Sequence, residues 1–134
     1  MSVYADTSAF LAIANSEDEQ HDSAVKTWQR LIDNGETIIT TNYVVVESTA
    51  LVQSRHGIPA VRILVEGLLA VVSLLWVDPP THAAAMTAVL ASAGKESPSL
   101  VDCVGFEAIR SNHITDVFAY DRHFGNRGFN LLRD

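Results

Sequence analysis

Strand-like apolar runs alternate with helical stretches from one end of this chain to the other, and few folds accommodate that order. The runs at 2–5, 37–40, 74–77, 117–120 and 129–132 are short and mostly apolar or β-branched. Between them, apolar residues recur at three- and four-residue spacing. Ala24, Val25, Trp28, Leu31 and Ile32 mark one helix, closed by Asn34 and Gly35. Thr41 or Asn42 caps the next, which runs from Tyr43 to about His56, and Pro59 starts another that reaches about Val72. Pro79, Pro80 and Thr81 lead into a further helix, and Ser99 caps the one from Leu100 to about Asn112. Gly94 to Pro98 reads as a loop and Asp121 to Gly128 as a polar turn. Apolar strands separated by helices lie side by side in parallel. The expectation is therefore an α/β fold, with a central parallel sheet of four to five strands and helices on both faces. Residues 1–134 suffice for one domain of this kind.

The totals narrow the function. A net charge of −7 argues against a protein that coats nucleic acid by bulk electrostatics, but not against an enzyme that cuts it. With 48% hydrophobic residues the chain can bury a real core. The single cysteine, Cys103, rules out an intrachain disulfide and suits a reducing compartment such as the cytoplasm. No signal peptide is expected, because the first residues lack both a basic region and a long apolar run. The stretch from Ile58 to Val77 has membrane length, but Pro59, Arg62, Glu66 and Gly67 interrupt it. It reads as a buried helix followed by a core strand, so no membrane association is expected. Trp28 and Trp76 read as core residues.

Four acids fall where a parallel sheet places its active site, beyond the carboxyl ends of its strands. Asp6 directly follows the first run, and Asp121 follows the fourth. Glu47 lies early in the helix after the second run, and Asp102 in the first turn of the helix that Ser99 opens. Each acid has a plainer role open to it. Asp6 can cap a helix, Asp102 can close a capping box with Ser99, Asp121 can shape a turn, and Glu47 can be a solvated helix residue. Together they suit hard Mg²⁺ or Mn²⁺, which prefer oxygen donors, and metal-assisted phosphodiester hydrolysis needs such a cluster. Without an ion, crowded carboxylates repel, and some retain protons near neutral pH.

These residues also resemble a known family. Val3-Tyr4-Ala5-Asp6-Thr7-Ser8, Thr41-Asn42-Tyr43-Val44-Val45-Val46-Glu47, Ser99-Leu100-Val101-Asp102 and Phe118-Ala119-Tyr120-Asp121-Arg122-His123-Phe124 are similar, in order and spacing, to the motifs of PIN-domain ribonucleases, above all the VapC-like toxins of toxin–antitoxin pairs. The resemblance implies a three-layer α/β/α sandwich and Mg²⁺- or Mn²⁺-dependent cleavage of RNA. It implies metal-site roles for Asp6, Glu47, Asp102 and Asp121. Ser8 matches a hydroxyl that supports the first acid, and Ser99 a frequent cap before the third. It further implies a cognate antitoxin seated near the site, with the apolar helices from Tyr43 to Val72 as its surface, and a homodimer. The loop from Asn15 to Ala24, with His21, resembles a variable insert. One departure stands out: Ala119 replaces a frequent hydroxyl residue two positions before the fourth acid.

Arg122 and His123 are candidate holders of substrate phosphates, with a solvated turn as the alternative. The other histidines lack ligand spacing for zinc. Asp116 precedes the fourth run and belongs at the opposite sheet end. Three other readings compete: a housekeeping RNA-processing nuclease without an antitoxin, an aspartyl-phosphate enzyme, and an inactive binding module. Ser8 stands where a phosphoaspartate enzyme wants a second acid, and four intact acids speak against an inactive module.

Overall fold

The computed structural model describes residues 1–94 and 97–133. The middle of the loop expected between Gly94 and Pro98 lies outside them, as does Asp134. Five strands, β1 (Ser2–Ala5), β2 (Thr37–Thr41), β3 (Ser73–Leu75), β4 (Asp116–Phe118) and β5 (Asn130–Leu131), form one sheet in the order β3-β2-β1-β4-β5. Every pairing is parallel. β1 is central, and its Val3, Tyr4 and Ala5 are all buried, as a strand covered on both faces requires.

The helices are α1 (Thr7–Ala14), α2 (His21–Asp33), α3 (Asn42–His56), α4 (Ile58–Arg62), α5 (Pro79–Ala91), α6 (Leu100–Ser111) and the short α7 (Arg122–Gly125). α4 runs on through a π turn, Ile63–Leu68, and a 3₁₀ turn, Leu69–Val71. α1 to α4 pack on one another, as do α5 and α6, giving a layer on each side of the sheet. Gly57, at φ 81°, supplies the left-handed corner between α3 and α4. No helix among the described residues is long and apolar enough to cross a membrane.

Winding starts at β1, moves out through β2 to β3, then returns to β4 on the other side of β1. The point where the order reverses lies between β1 and β4. Ligands in open parallel sheets bind beyond the strand ends at that point.

Six expectations need correction. The third strand ends at Leu75 rather than Val77, because Asn42 Oδ1 accepts the Val77 amide at 2.8 Å and draws the chain out of the ladder. Trp76 is therefore 76% exposed and not a core residue. The fourth strand stops at Phe118, since the amides of Tyr120 and Asp121 turn toward the Ser8 hydroxyl at 2.9 and 3.3 Å. The polar turn after Asp121 contains α7. The helix after Pro59 buries Leu64 and Leu68 but exposes Ile58, Ile63, Val65 and Val71, so it is a half-covered surface helix. The insert expected from Asn15 to Ala24 is shorter, because α2 begins at His21, whose Nδ1 bonds the Ala12 carbonyl at 2.9 Å.

The core beneath the site is aromatic. Phe106 meets Phe124 edge-on at 5.0 Å, and Tyr4 stacks on Phe124 at 6.2 Å. Gly105 of α6 faces Tyr4. A Cβ there would stand 2.9 Å from the Tyr4 hydroxyl and 3.3 Å from two ring carbons. Tyr4 is fully buried and has nowhere to move. Gly105→Ala is thus expected to lower stability by about 1–2 kcal/mol net of its helix-propensity gain, with partial recovery in the Tyr4→Phe background. Urea unfolding of the single and double variants checks this.

Candidate metal centre

Asp6, Glu47, Asp102 and Asp121, spread over 116 positions of sequence, line a single open cleft of about 330 Å³ beyond the carboxyl ends of β1 and β4. Thr7, Ser8, Leu11, Leu51, Ser97, Ser99 and His123 complete its lining. Three of the acids are held at helix starts, and the fourth lies along a helix.

Asp6 follows β1, and its amide bonds the Phe118 carbonyl at 3.0 Å, continuing the β1–β4 ladder. It then caps α1: its Oδ2 accepts the Ser8 amide at 3.1 Å and the Ser8 hydroxyl at 2.7 Å. The cap is Asp6 itself. Both Ser8 bonds fall on Oδ2, and neither engages Oδ1. Asp102 closes a capping box at the start of α6. Its amide donates to Ser99 Oγ, and its Oδ2 accepts the Ser99 amide, both at 3.1 Å. Asp121 caps α7 through the His123 amide at 2.9 Å. Glu47 lies on α3, half-buried, in the second turn. For three of the acids, then, the structural role is present and is compatible with the functional one: the cap fixes the carboxylate.

Ser8 joins two of these corners. While donating to Asp6, its hydroxyl accepts the amides of Tyr120 and Asp121. It thereby ties the end of β1 to the turn after β4, and supplies a hydroxyl at the corner where Ala119, fully buried, has none. Asp116 begins β4, at the far end of the sheet, and accepts Asn130 Nδ2 at 2.8 Å, in keeping with a structural role.

His123 joins the acids more closely than the sequence suggested. Its Nδ1 lies 2.8 Å from Asp121 Oδ1 and 3.5 Å from Asp102 Oδ2. Donor atoms of Asp102, Asp121 and His123 all fall within 4.8 Å of one another. Asp6 and Glu47 share the cleft but stand outside that tight group. The signal for His123 was its place two residues after Asp121, at the start of a helix that the turn-like composition concealed. Arg122 is exposed and is not part of the cleft lining.

The electrostatics follow from burial. Asp6, 2% exposed, has its pKa raised to about 7, chiefly by loss of solvent and further by Asp102, against the opposing bonds from Ser8. Asp102 is also raised, first by burial and then by Asp121, while the Ser99 bonds and His123 pull it back. Desolvation outweighs mutual repulsion here, so a nearby cation would relieve both acids at once.

The family model of the PIN domain matches residues 3–130. VapC20 of Mycobacterium tuberculosis, a sarcin–ricin loop cleaving toxin, is 26% identical and superposes with a TM-score of 0.84 over 98% of this chain and 99% of that one. VapBC2 from Rickettsia felis, bound to a DNA fragment from its promoter, is 13% identical with a TM-score of 0.70 over 100% of both chains, a likeness of fold alone. No curated protein matches the chain.

Two outcomes are expected. An acid whose pKa is lifted on folding binds its proton more tightly in the folded state. The stability this adds is complete below the unfolded value of 3.8 and is lost as pH climbs through about 7. The melting temperature of the metal-free protein should therefore fall across that window, and millimolar Mn²⁺ should raise it most at the upper end; calorimetric scans with and without chelator report both. Ser8→Ala removes the shared hydroxyl and should cost about 1–3 kcal/mol in chemical unfolding, since it leaves two amides without this acceptor and the buried Asp6 carboxylate with only the backbone amide of residue 8 from this corner.

Proposed function

The chain belongs to the PIN-domain family, and on that premise we propose that it is a divalent-metal-dependent endoribonuclease whose one nuclease domain spans residues 1–134. The observation that carries this reading is the single cleft that gathers Asp6, Glu47, Asp102 and Asp121. Asp6, Asp102 and Asp121 are the proposed ligands of Mg²⁺ or Mn²⁺, and Glu47 completes the charge. The donors fit a hard dication: they are mostly carboxylate oxygens, and the innermost acid is too buried to carry its charge alone. When bound, such an ion supplies hydroxide from water at neutral pH and neutralises charge on the phosphate.

The chain's own part is to hold these groups still. Ser8 aims Asp6 and Ser99 aims Asp102. Leu11 and Leu51 line the cleft with hydrocarbon, which lowers the local dielectric and strengthens every charge interaction inside it. Arg122, exposed beside Asp121, is the proposed contact for a substrate phosphate, by the paired N–H donors of its guanidinium.

The substrate class is RNA, and the sarcin–ricin loop is the first target to offer, because VapC20 cleaves it. A cognate antitoxin is the proposed protein partner. An apolar cleft of about 440 Å³ lies beside the acids, lined by Asn42, Tyr43, Val46 and Val101 and sharing Glu47 with the acidic cleft. Val46 is 68% exposed there, which suits an apolar segment laid along α3. The bare residues Ile58, Ile63, Val65 and Val71 suit a second copy, completing a homodimer. Cytoplasmic residence accords with an RNA substrate and with the free, buried Cys103.

Cleavage of end-labelled RNA with Mg²⁺ or Mn²⁺ tests the enzyme reading. Asp6→Asn keeps a good helix cap and removes the charge. It should abolish cleavage and leave the melting temperature of the metal-free protein unchanged or higher. Equal cleavage by the variant, or by wild type in chelator, would remove the proposal.

A further inference from the structure

We propose that His123 is itself a metal ligand, its Nδ1 completing with Asp102 and Asp121 a mixed nitrogen–oxygen site that favours Mn²⁺ over Mg²⁺. This rests on the reading above that the acidic cleft holds a divalent ion. The geometry comes first. Nδ1 is shielded from solvent and faces two carboxylates brought by different elements, Asp102 from α6 and Asp121 from the β4–α7 corner. Its separations of 2.8 and 3.5 Å bracket the edge of about 3 Å between neighbouring donors around an ion with bonds of about 2.1 Å.

Asp121 Oδ1 already accepts the His123 backbone amide at 2.9 Å. Backbone amide and ring nitrogen of one residue thus converge on the same carboxylate oxygen. The ring is also held in place: α7 starts at Arg122, and Phe124, one residue beyond His123, is fully buried against Tyr4 and Phe106. A ligand fixed by its own backbone cap and by a buried neighbour loses little freedom on binding. Softness then sets the preference. Mg²⁺ takes oxygen donors and keeps its waters, whereas Mn²⁺ tolerates an imidazole and stands within the transition-metal series that nitrogen favours.

The test reads coordination rather than turnover. Wild-type protein loaded with Mn²⁺ is examined by pulsed electron paramagnetic resonance for nitrogen modulation, and Mn²⁺ and Mg²⁺ affinities are measured by calorimetry. Nitrogen modulation is expected in wild type and should vanish in His123→Gln. The variant should bind Mn²⁺ on the order of 10–100-fold more weakly while Mg²⁺ binding changes far less. The wild-type spectrum alone decides if the variant folds poorly. Mn²⁺ bound without nitrogen modulation, or modulation that survives His123→Gln, overturns the proposal and leaves the carboxylate reading standing. No Mn²⁺ bound at all overturns both.

Discussion

Burying a carboxylate where water cannot reach it is the constraint on which the rest of this structure turns. Asp6 sits at the end of the central strand, at the point where the winding of the sheet reverses, and is nearly inaccessible. An isolated buried charge is among the least favourable things a fold can contain. The molecule answers in two ways. Ser8 supplies two hydrogen bonds to one oxygen, and Asp102, Asp121 and Glu47 gather round the same opening. The second answer makes matters worse unless a cation arrives, which is the physical support for the metal site proposed above.

The same local chemistry serves folding and function. A helix N-terminus needs an acceptor for its first amides, and a metal needs a fixed carboxylate; one aspartate can meet both needs with its two oxygens. Asp6, Asp102 and Asp121 all meet the first need, each at a strand-to-helix or loop-to-helix corner, and the proposed metal site would use the second. The Ser8 hydroxyl then fastens the first corner to the last, across more than a hundred residues of sequence. Precision at the site comes from backbone geometry, and little of it depends on flexible side chains.

Much of this was legible in the sequence, and the reasons are physical. Continuous apolar runs separated by helices imply a parallel sheet whatever the details, and the sheet implies where acids gather. Ser99 and Asp102 announce a capping box by their spacing alone. Other features depend on contacts that no local pattern carries. Strand three is cut short by Asn42, thirty-five positions away, and Trp76 is exposed in consequence. α7 is a four-residue helix held by one cap, in a stretch composed like a turn. The approach of His123 to Asp102 depends on that helix and could not be read without it. The half-bare face of residues 58–71 looked like a core helix because hydropathy records apolar content and not what is left to cover it.

The union of cap and carboxylate bears on how such a protein can change over generations. Three of its four acids are protected twice, since losing any of them weakens a helix as well as the site. Glu47 caps nothing. A descendant lineage that abandoned catalysis yet still had to fold would keep its aspartates for long after they ceased to be useful. It would shed the glutamate first, so that an intact trio of aspartates is poor testimony to a living enzyme and the glutamate is the better witness.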